Sequence, residues 1–204
     1  MGVEGVYSLN DGARLVKAAR EAIELSIMSP EFRQEMLAEG LSEFNSNHGA
    51  FVRIMHYPTE SKRGHACLVD SKLPLKETVP QLALCAFNNS RAVPVSHMEF
   101  EDMIIALGII TEVKEIKNRE ISWISDELRP GTAGLALQFG YNEGFVFTEN
   151  TGRISMPEEF LHELCDDAGL QPFSWKNPKA KLYRFHAQIF LEKEPHGDIE
   201  EIFL

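Results

Sequence analysis

Three side chains with reactive or ligand-binding groups alternate along one short stretch of the sequence, Arg63-Gly64-His65-Ala66-Cys67. Residues two apart in a β-strand point to the same side, so a strand here would present Arg63, His65 and Cys67 together. A guanidinium binds anions, and a nearby arginine or histidine activates a thiol. The stretch therefore predicts an anion site with Cys67 as nucleophile and His65 as nucleophile or acid–base group. The spacing alone favours a simpler alternative, a half-buried thiol beside two solvated polar groups.

Two loop segments are further candidates for ligand binding. Residues 88–94 follow a predicted helix, are rich in turn formers and contain Asn89 and Arg91. Arg91 can hold a carboxylate or phosphate with two hydrogen bonds, or it can serve the last carbonyls of the preceding helix. Gly131 and Gly134 precede a predicted strand, where glycine permits the close approach of a ligand. A plain loop is the simpler interpretation of that second segment.

Charge and hydrophobicity exclude two classes of partner. The net charge of the 204 residues is −11, and the densest charge runs are acidic, which argues against a nucleic-acid partner. No apolar run approaches the roughly 18 residues that a membrane span needs. The first residues contain no basic segment followed by an apolar one, so we expect no signal peptide and a cytoplasmic protein. Three widely spaced cysteines fit reduced thiols in that compartment.

The sequence contains no motif that points to a metal or a cofactor. The seven histidines are scattered, and only the His65-x-Cys67 spacing resembles a pair of metal ligands. Glycine-rich nucleotide-binding motifs and paired Cys-x-x-Cys motifs are absent. We therefore expect no bound metal and no cofactor. Helical spacing places Cys165 in a core stripe and predicts that Cys85 is packed as well.

The pattern of apolar residues predicts an α+β fold with a mainly antiparallel sheet, in a single domain over residues 1–204. Trp123 and Trp175 are expected to be packing anchors. Asn10 or Asp11 is expected to cap the first helix, and Ser96 to cap a short turn. Further helices are predicted over 75–88 and from 157 to about 168, and strands over 51–56, 63–69, 103–111, 132–139, 144–148 and 180–192.

The order and spacing of several segments resemble the AMMECR family over roughly residues 49–195. The family hallmark Leu-Arg-Gly-Cys-Ile-Gly matches residues 62–67, and its Lys-Asp-x-Arg-Phe-x-Pro segment matches residues 88–94. Further matches are a glutamate, a pair of glycines, a C-terminal helix and a tryptophan: Glu99, Gly131, Gly134, residues 160–170 and Trp175. This chain departs from the hallmark at positions that carry chemistry, since His65 replaces the family cysteine and Cys67 replaces a glycine. A thiol thus stays on the same strand face, displaced by about 6.6 Å.

The resemblance implies a fold of two α+β subdomains with a cleft between them and the hallmark strand near the cleft. It suggests that Arg63, Gly64, His65, Cys67 and Arg91 line a site for an anionic small molecule. Glu99 would orient an arginine of this site, and Asn89, Gly131 and Gly134 would contribute to binding. Whether the site is catalytic is left open. The alternative is a non-catalytic interaction module, and the family association implies Memo-like or radical-SAM proteins as partners.

Overall fold

The computed structural model describes residues 7–29, 37, 39–88, 95–127, 134–147 and 157–202. Over these residues the chain forms the α+β fold that the apolar pattern predicts, with helices packed on a mainly antiparallel sheet. It divides into two compact units. Unit 1 contains Met1–Ile110 and Gln188–Phe203, and unit 2 contains Thr111–Ala187. Within the described residues, no helix is long and apolar enough to cross a membrane.

Helices and strands intermix along the chain. The helices are α1 Leu9–Met28, α2 Leu75–Asn88, α3 His97–Phe100, α4 Ile121–Glu127 and α5 Pro157–Asp167. The strands are β1 Ala50–His56, β2 Ser61–Leu68, β3 Met103–Glu115, β4 Gly134–Phe139, β5 Asn142–Phe147, β6 Lys181–Glu192 and β7 Ile199–Ile202. Short 3₁₀ helices occur at Glu39–Leu41 and Ser174–Lys176.

The described strands form one sheet in the order β2-β1-β3-β6-β4-β5, and β7 also pairs with β6. The pairs β1–β2, β1–β3, β4–β5, β4–β6 and β6–β7 are antiparallel. Strands β3 and β6 each contribute residues to both units. Strand β1 lies in unit 1 between β2 and β3, and each of its residues has a partner on both of these strands.

The core of unit 1 lies between helices α1 and α2 and one face of β1, β3 and β6. Helix α1 buries Leu15 and Ile23 at helical spacing, and alternate residues of β1 such as Val52 and Ile54 meet them from the sheet. The opposite face of this part of the sheet carries a second apolar cluster, which contains Met55, Ile104, Ala106 and Leu191. Both faces of β1 are therefore buried, and six of its seven residues are buried.

The core of unit 2 lies between α5 and strands β4, β5 and β6. Leu161 and Leu164 of α5 are buried in one cluster with Leu135 and Leu182. Gly144 of β5 permits this packing, because a Cβ there would lie 2.4 Å from the backbone nitrogen of the residue that follows the helix. The helix ends before Gly169, which adopts a positive φ of 66° that favours glycine. This is the end that the sequence predicts.

Several local predictions are confirmed and others are wrong. Helix α2 has the predicted bounds, and Trp175 is a buried anchor with 1% exposure. The predicted cap of α1 is wrong, because Ser8 is the capping residue and Asp11 is its capping-box partner. The prediction for Trp123 is wrong as well, since 43% of it is exposed on the short helix α4. Helix α4 and strand β7 were not predicted. They span 7 and 4 residues, which is too short for a clear periodic pattern of apolar residues.

Candidate functional site

Strand β2 turns one face towards helix α2 and the other face away from it. Gly64 lies so close to α2 that a Cβ there would stand 2.3 Å from the carbonyl oxygen of Ala86. The missing side chain lets the strand and the helix approach each other directly. Because side chains alternate along a strand, His65 and Cys67 share the face that points away from α2. Cys67 is buried on this face, and His65 is partly buried.

Arg63 lies at an irregularity in the pairing of β1 with β2. Ile54 pairs with Gly64, but the next residue, Met55, pairs with Lys62, so Arg63 is the extra residue of a β-bulge. A bulge bends the strand and redirects side chains next to it. The prediction that Arg63 shares the face of His65 assumes regular alternation. The contacts of Arg63, rather than its spacing, therefore decide where its guanidinium lies.

The Arg63 guanidinium binds the carboxylate of Glu99 with two hydrogen bonds. Its Nε donates to Oε1 of Glu99 at 2.6 Å, and its Nη2 donates to Oε2 at 3.3 Å. The side chains of Arg63 and Glu99 are 16% and 29% exposed. Bidentate pairing of this kind restricts the guanidinium to one plane. The structure thus brings Glu99 to an arginine, which is the contact that its expected orienting role requires.

Glu99 is itself held in place by the start of helix α3. Its backbone N–H donates to the hydroxyl of Ser96 at 3.2 Å, and its Oε2 accepts the backbone N–H of Ser96 at 3.3 Å, a reciprocal capping box. The hydrogen bond from Arg63 holds the pKa of the Glu99 carboxyl below its ordinary value, against the opposing effect of burial. Ser96 and the imidazole of His56, 3.8 Å away, lower the pKa further.

Arg53 lies beside the candidate site, opposite His65, and was not among the residues predicted from the sequence. It lies on β1 directly opposite His65 of β2, so the two side chains emerge on the same face. Only 9% of Arg53 is exposed, and its guanidinium carbon lies 6.0 Å from the centroid of the Phe51 ring. A signal was present in the sequence, because Arg53 is the only charged residue in the apolar segment 50–55.

The three cysteines, all within the described residues, occupy different environments and form no disulfide with one another. Cys67 is 6% exposed on β2, and Cys165 is fully buried in α5 as its helical spacing predicts. The prediction that Cys85 is packed is wrong, because it lies exposed on α2. Partial loss of hydration nevertheless raises the pKa of its thiol. The described residues contain no group of three His, Cys, Asp or Glu side chains placed to hold a metal ion.

Most residues of the two predicted binding loops are not among those that the structure describes. Asn89, Arg91 and Gly131 lie outside the described residues. Gly134 begins β4 in unit 2, where a Cβ would stand 2.4 Å from the carbonyl oxygen of Val146. Close packing within unit 2 therefore explains a glycine at position 134 without a ligand.

Comparison with known proteins identifies relatives along nearly the whole chain. Protein MJ0810 of Methanocaldococcus jannaschii is 30% identical over 198 residues, covering 96% of this chain and 97% of the relative. Protein Ta0236 of Thermoplasma acidophilum is 30% identical over 203 residues, covering 95% and 93%. The crystal structure of the uncharacterised protein PH0010 of Pyrococcus horikoshii superposes with a TM-score of 0.78 and 26% identity, covering 96% of this chain and 98% of that one.

A family model described as AMMECR1 matches residues 16–190. The match includes β1, β2 and α3, and with them the arginine–glutamate pair and the face that carries His65 and Cys67. The solved relative extends the similarity from sequence to the α+β fold. On the sequence match over most of its length, this chain belongs to the AMMECR1 family.

Proposed function

We propose that the protein binds the anionic group of a small molecule at the β2 segment that contains Arg63, His65 and Cys67. The observation that carries the proposal is the bidentate contact of Arg63 with Glu99. A guanidinium has five N–H donors in a planar fork, so it can bind the oxygens of more than one acceptor group. An arginine whose plane is fixed by one carboxylate is oriented before a second acceptor arrives, which lowers the entropy cost of binding.

Two neighbours of Arg63 on β2 support the same function. His65 supplies a second nitrogen donor, and Cys67 supplies a group that can react once a ligand is held. Both side chains lie on one face of the strand, and Cys67 is 6% exposed. Arg91 adds a second guanidinium in this proposal. The proposed small-molecule ligand and the Memo-like or radical-SAM partners are separate predictions, and co-purification from a native host tests the partners.

Anion binding can be measured without knowing the natural ligand. Inorganic phosphate, sulfate and succinate serve as probes in isothermal titration calorimetry with the full chain. We expect at least one probe to bind with a Kd of about 1 mM or tighter, which corresponds to about −4 kcal/mol. Arg63→Gln should weaken that binding. Arg14→Gln is the matched control, since Arg14 is an arginine of unit 1 that pairs with Glu43 away from β2.

Two results would contradict the proposal. One is the absence of binding by any of the three probes at concentrations well above about 1 mM. The other is equal weakening by Arg63→Gln and Arg14→Gln, since that would indicate a loss of general charge attraction instead of a local site. A catalytic role for Cys67 is tested separately, because turnover of a substrate found by screening should be lost in Cys67→Ser.

A further inference from the structure

Arg53 is a buried cation in a strand that is otherwise apolar. Its neighbours along β1 are Phe51, Val52, Ile54 and Met55, which are 0–5% exposed. A guanidinium keeps its proton in proteins, so an arginine with 9% exposure brings a charge into a position where burying it is costly. Methionine or leucine would fill such a position without this requirement. A residue that breaks the local pattern of its strand is expected where function requires it.

Small residues on the neighbouring strand create the space that Arg53 occupies. Strand β3 places Ala106 opposite Arg53 and Gly108 opposite Phe51. A Cβ at Gly108 would lie 2.1 Å from the nearest atom of the Phe51 ring, so the ring rests directly on the β3 backbone. The Arg53 guanidinium carbon lies 6.0 Å from the centroid of that ring, within the range of a cation–π contact. Gly108 thereby fixes Phe51, and Phe51 limits where the guanidinium can lie.

The pairing of β1 with β2 brings Arg53 to the proposed anion site. Arg53 pairs with His65, and opposite residues of an antiparallel pair have Cα atoms about 4.5–5.5 Å apart with side chains on the same face. The next pair on that face is Phe51 with Cys67. A guanidinium, an imidazole and a thiol are therefore adjacent on one face of β1 and β2.

We infer that Arg53 is a binding residue of this site and that its guanidinium, with the imidazole of His65, holds an oxyanion of the ligand, a carboxylate or a phosphate. This inference rests on the proposed function and specifies its chemistry. Arg63 then acts as a neighbouring group positioned by Glu99. The planar guanidinium fits the two oxygens of a carboxylate or phosphate group, and the ring beneath it keeps that plane in place.

The test compares Arg53→Gln and Arg53→Lys with the wild-type protein, using the same three probes. Loss of a hydrogen-bonded charge should weaken binding by about tenfold to a hundredfold in Arg53→Gln. Lysine keeps the charge and the contact with Phe51 but cannot bind two oxygens in one plane, so Arg53→Lys should fold and bind several-fold more weakly. Inorganic phosphate or sulfate binding more tightly than succinate indicates a phosphate ligand, and the reverse indicates a carboxylate.

A second readout separates a binding role from a packing role. A ligand that binds only the folded protein raises its Tm. Each variant is measured without probe and at one probe concentration, a fixed multiple of the wild-type Kd. If Arg53 only packs, its variants should have a lower Tm without probe but the same rise in Tm on adding the probe. We expect a reduced rise in both variants and an unchanged rise in Arg14→Gln.

The outcomes distinguish this inference from the proposed function. If the wild-type protein binds a probe and Arg53→Lys binds it equally well, the inference is wrong and the proposed function stands. If the wild-type protein binds none of the probes, the proposed function fails and the inference fails with it. Should Arg53→Gln not fold, the folded Arg53→Lys variant decides, because the inference requires it to bind more weakly.

Discussion

Two arginine–glutamate pairs in unit 1 have similar hydrogen bonds and very different surroundings. Arg20 of α1 donates to Glu192 of β6 through Nε at 2.7 Å and Nη2 at 2.5 Å, and the two side chains are 6% and 2% exposed. Arg63 and Glu99 make the corresponding two contacts at 2.6 and 3.3 Å but are 16% and 29% exposed. The chemistry is the same, and the access to water differs.

The buried pair is connected to the backbone of the sheet. Arg20 also donates to the carbonyl of Met103 at 2.6 Å, and Glu192 accepts the N–H of Ile105 at 2.8 Å. The ring of Phe100 lies 4.9 Å from the Arg20 guanidinium carbon. These contacts join α1, β3 and β6, which gives the pair a structural role. The Arg63–Glu99 pair, by contrast, lies at a bulge and at the start of a four-residue helix, where it orients a charge.

The largest effect on stability is expected at the buried Arg20–Glu192 pair. Arg20→Met leaves the Glu192 carboxylate buried without its cation, so we expect the free energy of unfolding to fall by about 3–5 kcal/mol. Arg63→Met should lower it by about 1 kcal/mol, because water partly replaces the lost contact. Urea denaturation measures the change in the free energy of unfolding for both variants. Double-mutant cycles with Glu192→Gln and Glu99→Gln then give the two coupling energies, and equal coupling energies would contradict the assignment of different roles.

A second prediction concerns the glycine next to Arg63. In Gly64→Ala, the added Cβ would lie 2.3 Å from the carbonyl oxygen of Ala86, a backbone atom of α2. The strand or the helix has to shift, at a cost of about 1–3 kcal/mol in the free energy of unfolding. Gly40→Ala is the control, because nothing lies within 4 Å of a Cβ at that position. The same urea experiment measures both variants, and an unchanged stability in Gly64→Ala would show that β2 and α2 are not tightly packed.

The stability that the partly exposed Arg63–Glu99 pair contributes should also depend on pH. The pKa of Glu99 is lowered in the folded protein by the hydrogen bond from Arg63, so the folded state holds its proton less tightly than the unfolded chain does. The contribution of Glu99 to stability is therefore complete above its ordinary pKa of about 4.3 and is lost as the pH falls through the lowered value. The difference in free energy of unfolding between wild type and Glu99→Gln should shrink on acidification. A difference that grows in acid would contradict the ion pair.

The smallest effect is expected in the rates at which the thiols react. Cys85 is exposed, but its raised pKa reduces the thiolate fraction near neutral pH. Iodoacetamide should modify Cys85 first, with a pH midpoint above about 8.5. Cys165 is buried in the core of unit 2 and should react only through local opening, at a rate that depends on stability. Cys67 is buried as well, but it lies on the face proposed to bind a ligand and should react faster than Cys165. Peptide mass spectrometry after native-state alkylation measures all three. Equal rates for Cys67 and Cys165 would show that small molecules do not reach the β2 face.

The local elements were largely predictable from the sequence. The helix over Leu75–Asn88, the cap at Ser96 and the end of α5 before Gly169 all follow from apolar periodicity and from residues that favour helix ends. Prediction failed for Cys85 and Trp123, which have apolar side chains but lie on exposed helix surfaces. Periodicity identifies the side of a helix that is apolar, and it does not identify how far the neighbouring elements cover that side.

The candidate site was predictable only in part. Alternation predicted Arg63, His65 and Cys67 on one face, and the family resemblance pointed to Glu99 as a further member of the site. The contact between Arg63 and Glu99, 36 residues apart, depends on the bulge in β2 and on the position of α3. Nothing within β2 signals that bulge. Arg53 escaped prediction because its relation to His65 exists only in the register of β1 with β2.

Residue types and their local order were sufficient for the fold class, most element boundaries and the family, because these depend on interactions between residues a few positions apart. The roles of the charged residues needed the folded chain. Arg20 and Arg63 each meet a glutamate, but Glu192 is 172 residues away in the core and Glu99 is partly exposed. Burial sets the strength of an ion pair through the hydration that both charges lose. That loss of hydration depends on packing between distant segments and cannot be inferred from any short stretch of sequence.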